Sequence, residues 1–232
     1  MDHSRVSALK CVPLLAGLSD ASLQHLARDC TWRQCEAGEQ LVSYQDVSTE
    51  VYFLTSGKLR VAVYSVEGKA VLFKDLRPGA MFGEIAAIDR AGRSAGVEAI
   101  EPSTVALLSA SKFEKLLLAE PQLALATLRH VTSEVRRLSE RVVEFSTLVV
   151  QNRIQAELLR LAAEAGHQQS QALLAPTPSL SEIADRVSTH REAVSRELSR
   201  LASIGLLRRE GPNLRIIDVA RLARLVREAK GE

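Results

Sequence analysis

The chain has 232 residues, of which 46% are hydrophobic and 25% are charged, and its formal net charge at pH 7 is +2. This length and composition are typical of a globular protein with two small domains, and they require no disulfide or metal to complete a core. Neither a stretch of roughly 18 apolar residues nor an apolar signal segment is present, so we expect no membrane association and a location in the cytoplasm.

The amino-terminal third changes from helical to strand-like periodicity. Leucines from Leu14 to Leu26 predict a short helix, and strands are expected from about Thr31 onward. Turn residues separate the β-rich segments, which are Val51–Leu54, Leu59–Tyr64, Ala70–Phe73 and one or two strands within Val97–Leu108, with turns at Gly38, Ser56-Gly57, Glu67-Gly68 and Pro78-Gly79. Short strands at this spacing predict a small barrel or roll. Ser111 and Glu114 predict a capping box that starts a helix after it.

Segment 81–95 has the composition of a phosphate-binding turn. Gly83 allows a close backbone approach, and N–H groups at the start of the following short helix can face an anion. Arg93 offers a planar fork to phosphate oxygens, and Ser94 adds another donor. Glu84 would repel a phosphate, so we expect it to accept a hydrogen bond from a ribose 2′-hydroxyl. The alternative is an ion pair between Glu84 and Arg93 in a roll without ligand.

A long helix is predicted from Pro121 to Asn152, where neither glycine nor a further proline occurs. Its apolar residues alternate three and four apart, at Leu128, Val131, Val135, Leu138, Val142, Phe145 and Val149. This heptad pattern favours a parallel dimer, although packing of the stripe against its own domain is the alternative. A further helix over Arg153–Ala165 and a loop over Gly166–Pro178 are expected next.

The carboxyl-terminal part predicts two short helices followed by a two-stranded wing. Residues 186–232 contain eleven Lys/Arg against six Asp/Glu, so a polyanion is expected here. Capping boxes at Ser179/Glu182 and Thr189/Glu192 mark both helix starts. The segments Gly205–Arg209 and Gly211–Ile217 predict the two wing strands and the turn between them. The outer face of the second helix is expected to carry Thr189, His190, Arg191, Glu192, Ser195, Arg196 and Glu197, with Arg200 one turn further.

Two segments resemble a known family. Phe82–Ala95 (FGEIAAIDRAGRSA) is similar to the phosphate cassette of cyclic-nucleotide-binding domains, and Ser188–Leu198 (STHREAVSREL) resembles the recognition helix of CRP/FNR regulators of the cyclic AMP receptor branch. The resemblance implies an α+β fold with a jelly-roll-like β-roll at residues 1–120, a dimerisation helix at 121–152 and a winged helix-turn-helix at 153–232. It further implies a transcription regulator. Because the sequence shows no activated nucleophile, metal set or acid–base pair beyond these features, no enzymatic activity is expected.

The same resemblance implies the site residues and partners. Cyclic AMP and/or cyclic GMP would contact Phe82, Gly83, Glu84, Ile85, Arg93, Ser94, Leu138 and Ser139. Base contacts are expected from Arg191, Glu192 and Arg196, and DNA phosphate contacts from Ser179, Ser181, Thr189, His190, Arg208 and Arg209. The expected partners are a second copy of the chain, a palindromic double-stranded operator with TGTGA-type half-sites, and RNA polymerase; no metal is expected.

The purine half of the ligand site departs from the family pattern. Leu138 and Ser139 stand where cyclic AMP receptors carry a Thr-Ser pair, so the choice between cyclic AMP and cyclic GMP stays open. Glu134 likewise stands where a basic residue is expected, so coupling of the helix to the ligand is expected to differ.

Two rival functions remain open from the sequence. A redox or gas sensor would use Cys11, Cys30 and Cys35, whose spacing fits neither a disulfide framework nor a zinc ribbon. A cyclic-nucleotide regulatory module of an enzyme or channel would lack a DNA role, which the predicted winged helix argues against.

Overall fold

The chain is an α+β protein made of two compact units, Met1–Val135 and Arg136–Glu232. The computed structural model describes residues 3–64, 70–166 and 170–231. The boundary between the units falls within the long helix Pro121–Thr147, not at a loop. Across the described ranges, no helix has the length and apolar character needed to cross a membrane.

The first unit is a β-rich roll flanked by helices. Its elements are α1 His3–Leu9, a 3-10 turn Pro13–Leu15, α2 Asp20–Asp29, β1 Thr31–Cys35, β2 Gln40–Val42, β3 Val51–Tyr64, β4 Ala70–Leu76, β5 Met81–Phe82, α3 Glu84–Asp89, β6 Gly96–Leu108, α4 Ala110–Ala119 and the start of α5 Pro121–Thr147. The sheet order is β1-β6-β3-β4, all pairs are antiparallel, β2 also pairs with β6, and β5 pairs with β3. One apolar core fills the roll around Leu54, and another packs the helices around Phe53 and Phe113.

The predicted turn at Ser56-Gly57 does not interrupt the chain. Segments Val51–Leu54 and Leu59–Tyr64 form one strand, β3, whose register against β6 shifts at Ser56 and again at Lys58. Gly57 adopts a φ of +88°, where a Cβ would collide with the backbone of Ser103. The glycine therefore bends the strand instead of ending it. The predicted turn at Glu67-Gly68 lies outside the described residues.

Two helix starts in this unit differ from the sequence prediction. The helix expected from Leu14 is a 3-10 turn, and α2 begins only after Ser19, whose hydroxyl accepts the Ser22 N–H at 3.1 Å. The capping box predicted at Ser111 is wrong, because α4 already begins at Ala110. Glu114, its predicted partner in that box, pairs with Arg90 at 2.9 Å.

The predicted helix to Asn152 ends early, at Thr147. Ser146 and Thr147 donate their hydroxyls to carbonyls four residues back, both at 2.8 Å, a bond that competes with regular helix continuation. Leu148 is buried, and Val149 is extended before the next helix begins. The burial of Leu148, which a local pattern does not reveal, coincides with the end of a helix that contains neither glycine nor a proline after Pro121.

The second unit contains the helix-turn-helix and its wing. After the end of α5 come α6 Val150–Ala165, β7 Ala172–Leu174, α7 Leu180–Arg186, α8 Arg191–Ser203, β8 Leu207–Glu210, β9 Asn213–Ile216 and α9 Val219–Lys230. The predicted apolar faces meet in one core that includes Ile183, Val194 and Leu201. The loop prediction for Gly166–Pro178 missed β7, which pairs with β9, and the sequence prediction did not include α9.

Candidate functional site

The phosphate-binding turn predicted in the first unit is built around a glycine that no other residue can replace without displacing its neighbours. Gly83 joins β5 to α3 with a φ of +84°. A Cβ at this position would lie 2.6 Å from Arg93 Nη1 and 2.6 Å from the Glu50 carbonyl oxygen. The missing side chain therefore leaves the backbone directly against the Arg93 guanidinium.

Arg93 is only 3% exposed, yet it is held mainly by neutral acceptors. Its Nε donates to Ser48 Oγ at 3.0 Å, and its Nη1 donates to the carbonyls of Glu50 at 2.9 Å and Gly83 at 3.2 Å. The carboxylate that faces it belongs to Glu50, at 3.4 Å, and this side chain is 43% exposed. A buried cation held in this way retains an electrostatic preference for an added anion.

Glu84 is also buried, but it is not the ion-pair partner of Arg93 that the alternative interpretation required. Its Oε1 lies 3.7 Å from His130 Nε2 on α5. Arg93 pairs with Glu50 instead. Glu84 and Arg93 are therefore both buried inside the roll without being paired to each other.

The other predicted cassette residues differ in accessibility. Phe82 is buried and stacks on Tyr52 with ring centroids 4.7 Å apart, and the Arg93 guanidinium lies over the same Tyr52 ring at 5.5 Å. Ile85 is 41% exposed, and Ser94 is exposed. Sequence reasoning missed Ser48, Glu50 and Tyr52 as site residues. They lie next to the cassette because the β3–β5 register places Tyr52 opposite Phe82.

Helix α5 carries an apolar stripe that the described part of the chain leaves largely exposed. Leu128, Val135 and Val142 are each more than half exposed. Leu138 and Ser139, the predicted purine contacts, are exposed as well. Phe145, by contrast, is half-buried between the guanidinium groups of Arg141 at 5.0 Å and Arg153 at 5.2 Å. The stripe fits a pairing surface for another helix.

The two predicted capping boxes of the helix-turn-helix have different outcomes. The first is confirmed, since the Ser179 hydroxyl accepts the Glu182 N–H at 3.1 Å and Glu182 Oε2 accepts the Ser179 N–H at 2.7 Å. The second is wrong, because α8 begins at Arg191 after His190, without a side-chain cap. Thr189 belongs to the preceding turn, where its N–H donates to the Ala184 carbonyl at 3.0 Å.

This difference leaves the first turn of α8 available to a ligand. Arg191, Glu192, Ser195 and Arg196 all have exposed side chains, and His190 before them is exposed too. Because Glu192 is not part of a cap, its carboxylate can accept a hydrogen bond from a base amino group. The exposed side chains at the start of α8 match the pattern expected of a helix that reads the major groove.

Glu197 does not face outward as the sequence predicted. It is 2% exposed and accepts a hydrogen bond from Gln155 Nε2 on α6 at 2.7 Å. Arg200 donates to the same carboxylate through Nε at 2.8 Å and Nη2 at 2.7 Å. The hydrogen bond from Gln155 joins α8 to α6, and Arg200 neutralises the same carboxylate from within α8, so we assign Arg200 a structural contact instead of a DNA contact.

Further basic and hydroxyl side chains surround the helix. Ser179 and Ser181 are exposed at the start of α7, and Arg208 and Arg209 are exposed on the wing strand β8. Arg215 on β9 pairs with Glu210 across the hairpin at 2.6 Å. The wing therefore presents positive charge from a strand pair that is itself cross-linked by an ion pair.

Within the second unit, a set of charges around two buried carboxylates connects the end of α5 to α6, α7 and α9. We call it the Glu157 cluster, which consists of Arg141, Glu144, Glu157, Arg160, Arg186 and Lys230. Glu157 Oε2 lies 3.0 Å from both Arg141 Nη1 and Arg160 Nε. Arg141 also donates to the Arg186 carbonyl.

Glu144 completes the Glu157 cluster. Its carboxylate lies 2.9 Å from Arg160 and 3.1 Å from Lys230. Burial alone would raise the pKa of Glu144, but these two ion pairs outweigh burial and lower the pKa below its usual range. The carboxylate therefore stays ionised inside the unit.

The cysteines do not form a cluster suited to redox chemistry. Cys30 and Cys35 are buried, while Cys11 is exposed. Burial raises the pKa of the Cys30 thiol to about 12, which suppresses the thiolate needed for metal binding or oxidation. Cys30 behaves as part of the apolar core that surrounds Phe113.

Both halves of the chain match families of known domains. The model of the cyclic nucleotide-binding domain matches residues 32–120. The model of the Crp-like helix-turn-helix domain matches residues 152–225. The first match includes the Gly83–Arg93 turn, and the second includes the exposed face of α8.

Known transcription regulators align over most of this chain. It is 29% identical to the probable transcriptional regulator flp of Lacticaseibacillus casei, over 91% of this chain and 94% of that protein. It is 24% identical to the CRP-like cAMP-activated global transcriptional regulator of Mycobacterium tuberculosis, over 92% and 96%. The solved structure of the c-di-GMP responsive global regulator CLP of Xanthomonas campestris shares the fold, with a TM-score of 0.71, 17% identity and coverage of 85% and 99%.

Proposed function

The chain belongs to the CRP/FNR family of transcription regulators, and from this premise we propose that it is a cyclic-nucleotide-responsive regulator that binds DNA as a homodimer. The observation that carries the proposal is the buried Arg93 guanidinium beside the side-chain-free Gly83. A purine 3′,5′-cyclic nucleotide, cyclic AMP or cyclic GMP, supplies the anion that this arrangement favours.

The residues present fit such a ligand. Gly83 has no room for a Cβ, so its backbone lies directly against the Arg93 guanidinium, and Glu84 offers a buried acceptor nearby on the same turn. Arg93 and Ser94 would hold the phosphate, and Glu84 would accept a ribose hydroxyl. The contacts of Leu138 and Ser139 with the purine remain predictions from the family resemblance.

Dimerisation through α5 follows from its exposed apolar stripe. Leu128, Val135, Leu138 and Val142 are exposed on a helix whose apolar positions alternate three and four apart. A second copy of α5 would cover them in a parallel pair. A two-fold dimer presents two copies of α8, which matches an operator with two half-sites about one helical turn apart.

DNA recognition is assigned to the exposed side chains of α8 and the wing. Arg191, Glu192 and Arg196 would contact base edges of TGTGA-type half-sites, and each bidentate base contact contributes about 1–3 kcal/mol of discrimination. Contacts to the phosphates are assigned to Ser179, Ser181, Thr189, His190, Arg208 and Arg209. RNA polymerase is the further partner that we expect for an operator-bound regulator.

Operator affinity measured with and without ligand tests the proposal. Fluorescence anisotropy of a labelled palindromic duplex is recorded without ligand and with cyclic AMP, cyclic GMP or c-di-GMP. Moving the dimer from about 1:99 to 99:1 in favour of the DNA-binding state requires roughly 10⁴-fold tighter ligand binding to that state. Equal affinities in all samples would overturn ligand control, and a response to c-di-GMP alone would overturn the proposed ligand class.

Substitutions separate a DNA regulator from a regulatory module without a DNA role. Arg196→Ala is expected to lose about 10-fold or more in specific operator affinity and to keep its affinity for the nucleotide. Arg224→Ala, on the exposed side of α9, is the matched control and should bind the operator normally. Unchanged operator binding by Arg196→Ala would refute the assignment of α8.

A further inference from the structure

The first half of α5 turns a polar face toward the roll. Thr127, His130 and Glu134 lie three and four residues apart, so they share one side of the helix. Glu134 Oε2 lies 2.8 Å from Lys74 Nζ on β4, and His130 Nε2 lies 3.7 Å from Glu84 Oε1 on α3. The helix therefore places an imidazole next to the carboxylate assigned to the ligand hydroxyl.

The contact between His130 and Glu84 is incomplete. His130 Nε2 is buried and has no hydrogen-bond partner. At 3.7 Å, the two atoms are too far apart for a hydrogen bond. Thr127, one turn earlier, has a second buried atom without a partner, its Oγ1. Unpaired polar atoms are uncommon inside proteins, so two of them on one helical face call for a functional explanation.

A hydroxyl group satisfies the chemistry of this gap. The neighbouring carboxylate favours the tautomer that carries hydrogen on Nε2, so His130 can donate while Glu84 can only accept. A hydroxyl both donates and accepts, and two hydrogen bonds of about 2.7–3.0 Å can meet at one oxygen placed between atoms 3.7 Å apart. A ligand without that hydroxyl would leave both protein groups unpaired.

We propose that His130 is a specificity-determining ligand contact, which donates to the ribose 2′-hydroxyl that Glu84 accepts from. The inference rests on the proposed binding of a cyclic nucleotide and adds a residue of α5 to that site. It makes the site selective for ribonucleotides, because a buried pair built to bind a hydroxyl rejects an analogue that lacks it.

Calorimetry of the full chain with cyclic AMP and with 2′-deoxy cyclic AMP tests this role. Wild type should bind cyclic AMP at least about 10-fold more tightly than the deoxy analogue. His130→Phe should weaken cyclic AMP binding about 10-fold, leave binding of the deoxy analogue nearly unchanged, and so remove most of the discrimination. His130→Gln, which keeps a donor, should restore part of it, and Ser133→Ala, an exposed residue on the same helix, should behave as wild type.

The outcomes separate this inference from the proposed function. Wild type that binds neither cyclic AMP nor cyclic GMP in the same assay would overturn the proposed function and this inference with it, and wild type that binds cyclic AMP and its deoxy analogue equally would overturn this inference alone. Wild type that binds cyclic AMP, with a His130→Phe variant that retains full discrimination or loses both ligands equally, would overturn the inference alone.

A measurement on wild type avoids dependence on the folding of a variant. The imidazole nitrogen resonances of His130 are recorded by NMR during titration with each nucleotide. Saturation with cyclic AMP should shift the Nε2 resonance, and saturation with the deoxy analogue should leave it near its free position. Identical shifts for both ligands would overturn the role of His130.

Discussion

The guanidinium of Arg93 and the carboxylate of Glu157 are both 3% exposed, yet their surroundings differ in kind. Glu157 has close cationic partners on α5 and α6, both at 3.0 Å. Arg93 is held by a hydroxyl and backbone carbonyls, and the carboxylate of Glu50 lies only at 3.4 Å on a partly exposed side chain. One buried charge is therefore held by ionic partners, and the other mainly by neutral groups.

The two sites differ in how far opposite charges surround the buried ion. A buried carboxylate with several close cationic partners, such as Glu157, fixes the geometry of its unit, and its removal leaves those cations uncompensated. A buried ion that is held by neutral groups still gains from an added counter-charge, which a ligand can supply. We therefore regard the Glu157 cluster as structural and Arg93 as part of the proposed ligand site. Substitutions at each position test this difference.

The largest effect is expected for Glu157→Gln. Loss of this charge leaves the buried Arg186 and the half-buried Arg141 and Arg160 with fewer partners, so we expect the free energy of unfolding to fall by about 3–5 kcal/mol. Urea denaturation of the full chain, followed by circular dichroism, measures the change. Glu228→Gln, exposed on α9, is the control and should change stability by less than about 0.5 kcal/mol. A Glu157→Gln variant as stable as this control would contradict a structural role for the cluster.

A smaller effect, and on binding instead of folding, is expected for Arg93→Ala. Loss of its charge-assisted hydrogen bonds should weaken cyclic nucleotide binding about 100-fold, which corresponds to about 2.7 kcal/mol. Stability should change by less than about 1.5 kcal/mol, because the carboxylate that faces the guanidinium, that of Glu50, is partly exposed and is not left as a buried unpaired charge. Calorimetry and urea denaturation together give both numbers. The distinction fails if the variant unfolds as easily as Glu157→Gln while it still binds nucleotide normally.

The smallest effect is expected for Glu50→Gln. Its carboxylate competes with a phosphate for Arg93, and partly exposed ion pairs contribute about 0.2–1 kcal/mol, so the variant should bind the nucleotide about 2–5-fold more tightly. The matched control is Glu101→Gln on β6, where the side chain is exposed. Weaker binding by Glu50→Gln would mean that Glu50 helps to form the site instead of competing for it.

Local patterns in the sequence were sufficient for the elements that depend on neighbouring residues. Periodicity predicted the change from helix to strand near Thr31, and the Ser179/Glu182 box predicted the start of α7 correctly. The second box failed because the turn before α8 uses the Thr189 N–H for a bond to Ala184. A motif of this kind cannot show which other acceptor competes for the same donor.

The features that escaped prediction depend on distant contacts. Charged residues were placed on the surface by pattern, yet Glu197 is buried because Gln155 on α6 donates to it. Ser48 and Glu50 reach Arg93 only through the fold of the roll, some 45 residues away along the chain. The unpaired Nε2 of His130 opposite Glu84 has no local sequence pattern at all.

The Glu157 cluster also determines where the chain can be divided into fragments. The break between α5 and α6 at Leu148–Val149 looks like a natural place to start a DNA-binding fragment, but a fragment from Val150 would lack Arg141 and Glu144. One that starts at Arg136 retains every ion pair of the cluster. A chimeric regulator that joins the helix-turn-helix unit to another sensor domain should therefore include residues 136–147, the last three turns of α5.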